Sequence, residues 1–151
     1  MGNILFRRGL DFVWSASDLD RLWPIGLVML RFYFGAAVLI AHGWPKLQEM
    51  VAGQGPFLEL VKSLGFPAPV FFAWFAVAGQ VVGSLLVVFG LWTRPAALVA
   101  ASTIAFGVLA VHWSAGFKSM EVGLAYSVVL LAIAVTGPGR LSLDRAIRSR
   151  E

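Results

Sequence analysis

The sequence predicts an all-α integral membrane protein, a bundle of four transmembrane helices in a single domain that covers residues 1–151. Of the 151 residues, 59% are hydrophobic and only 13% are charged, and the mean hydropathy is +0.82. Eight acidic and twelve basic residues are too few to coat a water-soluble globule of this size. The apolar side chains must therefore face lipid, which a helix crosses in about 20 residues.

Four stretches with little or no charge satisfy this length. The predicted spans cover residues 23–43, 69–92, 96–115 and 121–137. The turn Thr93-Arg94-Pro95 is so short that spans two and three must form an antiparallel hairpin, and proline suits the first position of a new helix. The last span ends at Gly137-Pro138-Gly139, a typical helix terminator.

The basic residues indicate the orientation of the bundle. With four spans, both termini and the turn between spans two and three share one side of the membrane. That side carries eight of the twelve basic residues: Arg7, Arg8, Arg21, Arg94, Arg140, Arg145, Arg148 and Arg150. The opposite side carries Lys46, Lys62 and Lys118. Because loops rich in basic residues stay in the cytoplasm, we expect both termini to be cytoplasmic.

Two segments outside the spans are predicted to lie along the membrane surface. Residues 1–21 mix apolar and charged side chains, which is typical of an interfacial segment or of a disordered tail. Between spans one and two, apolar residues repeat on one face of a short outer helix: Phe57, Leu58, Val61 and Leu64. We interpret this helix as a connector that rests on lipid in preference to a lid on the bundle.

Arg31 is the one charge within the first span. A central arginine costs about 2.5–3.5 kcal/mol on insertion, so its side chain should point into the bundle toward a polar partner. Counted from the predicted boundaries, Arg31 and Gln80 lie at depths of about 12 and about 18 Å, which an arginine can bridge. We therefore predict a buried Arg31–Gln80 pair, either a structural staple, which is favoured, or part of a proton or ligand path. Gly79 and Gly83 are predicted to let another helix pack closely beside Gln80.

A second polar group is predicted near the outer face. It comprises His42 and Lys46 at the end of the first span, His112 at the end of the third and Glu121 at the start of the fourth. Such groups suit the head group of a quinone or another small acid, with histidine as the proton carrier. Interfacial polarity without a binding role is the alternative. A b-type haem between His42 and His112 is the less favoured cofactor.

Composition also excludes several chemistries. The chain has no cysteine, so it offers no ligands for thiol redox chemistry, an iron–sulfur cluster or a thiolate zinc site. No metal site is predicted. The basic residues lie at helix ends and form no patch with aromatic residues, so nucleic acid is not an expected partner despite a pI near 10.1. The expected partners are the lipid bilayer and either a different protein or a second copy of the chain.

Four ordered motifs resemble the DoxX/DoxD-like family of small four-helix membrane proteins. They are Arg31-x-x-x-Gly35 with His42-Gly43-x-x-Lys46-Leu47; Gly90-Leu91-Trp92-Thr93-Arg94; His112 with Gly116-Phe117; and Gly137 to Asp144. The similarity covers nearly the whole chain. It implies a multi-pass protein of the bacterial inner membrane close to redox chemistry, which in some members is quinone-linked thiosulfate oxidation. The family often has a glutamate at position 80, where this chain has Gln80, which cannot carry a proton.

Three functions follow from these observations. The favoured one is the membrane subunit of a quinone-linked oxidoreductase, which would need a partner for electron entry. The alternative is a non-catalytic anchor or assembly factor, suggested by the small size and the basic stretch Leu143–Arg150. A small transporter is the third, and Arg31 is its only support. At most, therefore, the chain is predicted to be a membrane subunit of an oxidoreductase complex.

Overall fold

The structure, a computed structural model, describes residues 16–149, and all regular secondary structure in this part of the chain is helical. The elements are α1 (Ala16–Val38), a π-helical turn (Leu39–Gly43), α2 (Trp44–Ala52), α3 (Pro56–Ser63), α4 (Pro69–Phe89), α5 (Thr93–His112), a 3₁₀ turn (Trp113–Ala115), α6 (Phe117–Thr136) and α7 (Leu143–Arg148). Four helical stretches among the described residues are long and apolar enough to cross a membrane. The predicted four-helix membrane fold is therefore confirmed.

The first crossing is longer than its predicted span. It continues from Leu22 to Ala52, 31 residues, or about 46 Å of helix, against about 30 Å of hydrocarbon. The π-helical turn lies just before Pro45. Proline has no backbone N–H, so it cannot form the α-helical hydrogen bond to the carbonyl four residues earlier. The backbone N–H of Trp44 bonds instead to the carbonyl of Leu39, five residues back. The helix thereby widens without ending, and α2 extends beyond the membrane core.

The other spans differ from the prediction only at their ends. α4 ends at Phe89, α5 already begins at Thr93, and α6 begins at Phe117. The turn between α4 and α5 is therefore Gly90–Trp92, with Trp92 in a left-handed conformation at φ 45°. Residues 1–15 lie outside the described residues, so the surface segment predicted for 1–21 is untested there; from Ala16 the backbone is the start of α1.

Glycines set the closest helix contacts around α4. A Cβ atom at Gly79 would lie 2.9 Å from Cγ2 of Thr103, and one at Gly83 would lie 3.2 Å from the carbonyl oxygen of Ala96. Both glycines therefore contact α5. A Cβ atom at Gly43 would lie 3.2 Å from the backbone of Gln80, so the end of the π-helical turn packs against α4 as well.

The outer helix predicted between spans one and two is α3. Its Leu58 and Val61 are buried in a cluster that includes Ala73 and Val77 of α4, whereas Leu64 is exposed. α3 therefore packs on the bundle itself, and the interpretation as a connector resting only on lipid is incomplete. The opposite end of the bundle holds the N-terminal part of α1 and the segment that follows α6, because Leu27 of α1 contacts Gly139. That this end faces the cytoplasm stays a prediction.

Candidate functional site

A cavity of about 390 Å³ lies between α3, α4 and α5, at the end of the bundle opposite α7. Its volume falls within the range of roughly 300–1,000 Å³ typical of small-molecule pockets. Its walls are almost entirely apolar and include five phenylalanines: Phe57, Phe66, Phe72, Phe75 and Phe106. The polar side chains that line it are Lys46, Gln80, Ser102 and Thr103.

Lys46 supplies the positive charge of this cavity. Its Nζ donates a hydrogen bond to Oε1 of Gln80 at 3.0 Å and lies 4.9 Å from the centre of the Phe57 ring. The close contact of Gly43 with the backbone of Gln80 brings α2 near enough to α4 for this bond. Because the surroundings are apolar, hydrogen bonds from this ammonium group are stronger than they would be in water.

The first turn of α3 is held beside Lys46. Glu49 of α2 accepts a hydrogen bond from the backbone N–H of Phe57 at 2.8 Å, at the first turn of α3, where N–H groups lack helical partners. This bond ties α3 to α2 and places the Phe57 ring over the lysine. Lys46 therefore forms the polar corner of the cavity, and the bond between Glu49 and Phe57 holds α3 beside it.

The free hydrogen-bond donors of the cavity belong to Lys46 and Gln80, whereas Ser102 and Thr103 retain only acceptor capacity. Ser102 Oγ donates to the carbonyl of Leu98 at 2.7 Å, and Thr103 Oγ1 donates to that of Ala100 at 2.9 Å, so both hydroxyl protons are engaged. The Nζ of Lys46 has three N–H bonds and the amide of Gln80 has two. Among the described residues only the Lys46–Gln80 bond uses any of them. A ligand with acceptor oxygens therefore matches this corner.

The predicted pairing of Arg31 with Gln80 is wrong. Both side chains are buried, each only 2% exposed, but Gln80 bonds to Lys46. Since α1 and α4 are antiparallel, Gly43 is level with Gln80, and Arg31 is level with Gly90. Ten residues of α4, about 15 Å, separate those two levels. The depth prediction failed because it placed the span ends Trp23 and Trp92 at the same level, whereas Arg31, eight residues after Trp23, is already level with Gly90.

The other predicted ligand-binding residues do not line the cavity. His42 is half-buried, and its ring packs edge-on against Tyr126 of α6, with ring centres 5.6 Å apart. His112 and Glu121 are exposed. Of the group predicted at the outer face, the structure brings only Lys46 to the cavity, and it adds Gln80 and the phenylalanines. The signal in the sequence was the number of phenylalanines, twelve in all, with Phe72 and Phe75 one turn apart on α4.

At the other end of the bundle, Arg31 holds the segment that follows α6. Its Nη1 donates to the carbonyl of Pro138, and its Nη2 donates to that of Leu141 at 2.6 Å. Gly90 packs directly on the guanidinium and has φ +69°, so a side chain there would meet both backbone strain and a filled space. The two terminal nitrogens of the buried guanidinium thus bond to backbone carbonyls of the non-helical segment that follows α6.

Asp144 completes this junction by capping α5 from a distance. Its Oδ1 accepts from the N–H of Trp92 at 2.7 Å, and its Oδ2 accepts from the N–H and the hydroxyl of Thr93 at 3.0 and 2.9 Å. Burial opposes ionisation of this carboxyl group, but the hydrogen bonds from Thr93 and Trp92, together with the charge of Arg148, outweigh burial and lower the pKa of Asp144. The positive, N-terminal end of the α5 dipole also stabilises the negative charge of this carboxylate.

This cap makes stability depend on pH. A carboxyl group whose pKa is lowered by folding stabilises the protein above its unfolded pKa, about 3.9, and loses that contribution as pH falls through the lower folded value. We expect Asp144→Ala to lower the free energy of unfolding by about 1–2 kcal/mol at pH 7. The difference in unfolding free energy from the unmodified protein should narrow toward pH 3. Unfolding free energies in mild detergent at several pH values measure this, with Glu121→Ala as control. An equal gap at every pH would contradict the assignment.

The fold and cavity define a small four-helix integral membrane protein with one charged corner in an apolar pocket. The DoxX family matches residues 26–113, more than half of the chain, and the chain therefore belongs to the DoxX family. This confirms the resemblance drawn from its motifs.

Similar proteins include two from Escherichia coli (strain K12). Inner membrane protein YphA is 31% identical over 141 residues, 85% of this chain and 94% of YphA. Inner membrane protein YqjF is 26% identical over 136 residues, 87% of this chain and 99% of YqjF. "Putative oxidoreductase CatD" of Bacillus subtilis (strain 168) is 29% identical over 127 residues, 83% of this chain and 90% of CatD. No solved structure matches. The chain is a multi-pass protein of the inner membrane.

Proposed function

We propose that this protein is the membrane subunit of a redox complex and that the cavity between α3, α4 and α5 binds a quinone. The observation that carries the proposal is the pairing of Lys46 with Gln80 at 3.0 Å in the wall of an otherwise apolar, phenylalanine-lined cavity. The similarity to a protein named as an oxidoreductase, CatD, supports a redox setting.

The chemistry of the walls fits a quinone better than it fits a charged metabolite. A quinone has a flat ring, which phenylalanine rings can stack against, and an isoprenoid tail that needs apolar surface. Its ring carries carbonyl oxygens, which are acceptors without charge. The ammonium group of Lys46 and the amide of Gln80 are donors at one corner of the cavity, so they would fix the ring by one oxygen while the tail runs along the apolar wall or into the bilayer.

A bound quinone would supply a carrier of two electrons and two protons. The part of this chain would be to bind and orient the ring, to keep water away from it, and to hold a proton at Nζ of Lys46 beside the ring oxygen. The chain has no cysteine, and its described residues contain no group of three or more metal-ligating side chains. Electrons would therefore come from a partner subunit that carries a redox cofactor.

Two substitutions test whether the cavity binds a quinone. One removes a hydrogen-bond donor and the other fills the cavity. Lys46→Met keeps the unbranched side chain and removes the donor, so the affinity for a short-chain ubiquinone should fall about 10- to 100-fold, the worth of one charged hydrogen bond. Gly107→Leu should block binding without disturbing the fold, because Gly107 lines the cavity and a Cβ there meets nothing within 4 Å. Equilibrium binding to the purified protein in detergent measures both.

Matched controls separate binding from folding. Lys118→Met removes an exposed lysine, and Gly26→Leu adds the same side chain at an exposed glycine with no neighbour within 4 Å; both should bind quinone as the unmodified protein does. The proposal fails if the unmodified protein binds no quinone, or if Gly107→Leu folds and binds normally. In either case the non-catalytic anchor becomes the function to test, by co-purification of a partner after gentle solubilisation.

A further inference from the structure

A second concave surface lies at the end of the bundle that holds α7 and the N-terminal part of α1. This basic groove encloses about 490 Å³ between Trp23, at the start of the first crossing, and the segment that follows α6. The residues that line it are Trp23, Pro138, Gly139, Arg140, Asp144, Arg145, Arg148 and Ser149. It is far from the cavity at Lys46, and the proposed function does not use it.

The groove carries an excess of positive charge. Arg140, Arg145 and Arg148 are exposed, and none of them forms an ion pair among the described residues, where the pair Lys62–Glu59 is the one found. The acid that lines the groove is Asp144, and both of its oxygens already accept hydrogen bonds from Trp92 and Thr93. The three guanidinium groups are therefore free to bind an external anion.

The framework of the groove is held independently of these arginines. Arg31 fixes the carbonyls of Pro138 and Leu141 from inside the bundle, and Asp144 ties the start of α7 to the α4–α5 turn. None of the three exposed arginines forms a side-chain hydrogen bond in this framework, and Arg148 contributes to it only through its charge near Asp144. Their cost is mutual repulsion, which an anion would relieve.

The surroundings identify the anion as part of a lipid. Trp23 is 63% exposed, and the apolar side chains of Leu141, Leu143 and Ile147 are also exposed beside the arginines. In water such an arrangement would be unfavourable, but at a membrane surface the tryptophan and the apolar side chains enter the acyl region while the arginines stay at the level of the phosphates. Arginine forks suit phosphate oxygens, to which they donate in pairs.

We propose that the basic groove is a binding site for the phosphate head groups of anionic phospholipids, held by Arg140, Arg145 and Arg148 beside Trp23. The site is more than a diffuse attraction, because the segment that presents the arginines is fixed by buried contacts. It would tether the end of α6 and α7 to the leaflet, and it predicts preference for anionic over zwitterionic lipid of the same chain length.

The test uses the full-length protein in mixed micelles with equimolar phosphatidylglycerol and phosphatidylcholine of identical acyl chains. Native mass spectrometry counts the lipids retained by each protein. We expect the unmodified protein to retain phosphatidylglycerol preferentially and Arg145→Gln/Arg148→Gln to lose about tenfold or more of that preference. The control Lys62→Gln/Lys118→Gln removes the same formal charge from the other end of the bundle and should retain the preference.

Each outcome decides the proposal. The proposal is supported if only Arg145→Gln/Arg148→Gln loses the preference for phosphatidylglycerol while its thermal unfolding in uncharged detergent is unchanged. Equal preference in all three proteins, or equal loss in both double variants, overturns it, because the attraction would then be a property of net charge. If excess inorganic phosphate stabilises the unmodified protein alone and abolishes the lipid preference, the groove binds free anions and the lipid assignment is wrong.

Discussion

Arg31→Leu should destabilise the protein by about 3–5 kcal/mol, a large fraction of the roughly 5–15 kcal/mol by which a typical domain is stable. The guanidinium is 2% exposed and donates to the carbonyls of Pro138 and Leu141. Leucine removes the charge but leaves both carbonyls without donors, each at a cost of about 1–3 kcal/mol. The segment after α6 should detach and take with it the cap that Asp144 provides for α5. Reversible unfolding of the purified protein in mixed micelles measures the loss.

Two further variants separate charge from geometry. Arg31→Lys keeps the positive charge but replaces a planar fork with a single ammonium group, so it should lose less than Arg31→Leu and more than a surface change. Arg145→Leu is the matched control, because that arginine is exposed and bonds to no carbonyl through its side chain among the described residues. An Arg31→Leu protein as stable as the Arg145→Leu protein would show that the guanidinium contacts carry no stability.

The sequence was sufficient to predict that Arg31 is buried, but it did not indicate the partner. Burial follows from the cost of a charge in hydrocarbon, a property of one residue and its neighbours along the chain. The partner is a pair of backbone carbonyls more than a hundred residues away. Gly137-Pro138-Gly139 could be recognised as a helix terminator, yet a local pattern does not show where the terminated chain turns next.

The candidate site was also predicted only in part, because its contacts likewise join distant parts of the chain. Lys46 was identified because it lies one turn beyond His42, near the outer face and at a depth similar to that of His112 and Glu121. Its partner Gln80 depends on the register between α1 and α4, and that register depends on the π-helical turn at Leu39–Gly43, which no periodicity in the sequence revealed. His112 lies at a similar position along its helix but on an exposed face, and depth alone does not distinguish the two.

The spacing of Gly79 and Gly83 indicated a close helix contact on α4 without naming the partner, and the structure shows that the partner is α5. This contact leads to the second large effect. Gly83→Leu should destabilise the protein by about 3 kcal/mol or more, at the upper end of the cost of overpacking. A Cβ atom at this position already lies 3.2 Å from the carbonyl oxygen of Ala96 and 3.4 Å from the Cβ of Ala100. The first of these is backbone, which cannot rotate away, so the two helices must separate to admit a larger side chain. Between helices in lipid, close packing is a main source of association.

Substitutions at Gly83 should form a graded series, because each added carbon needs more space. Gly83→Ala should cost about 1 kcal/mol, Gly83→Val more, and Gly83→Leu the most. The same series at Gly26, where a Cβ atom meets nothing within 4 Å, should show no progressive loss, because removing a helical glycine gains up to about 1 kcal/mol of helix propensity and no packing is disturbed. Unfolding free energies in one detergent give both series. Parallel slopes at the two positions would mean that added bulk acts through helix propensity or the detergent, and that α4 and α5 do not meet at Gly83; a steep slope at Gly83 alone requires the backbone contact.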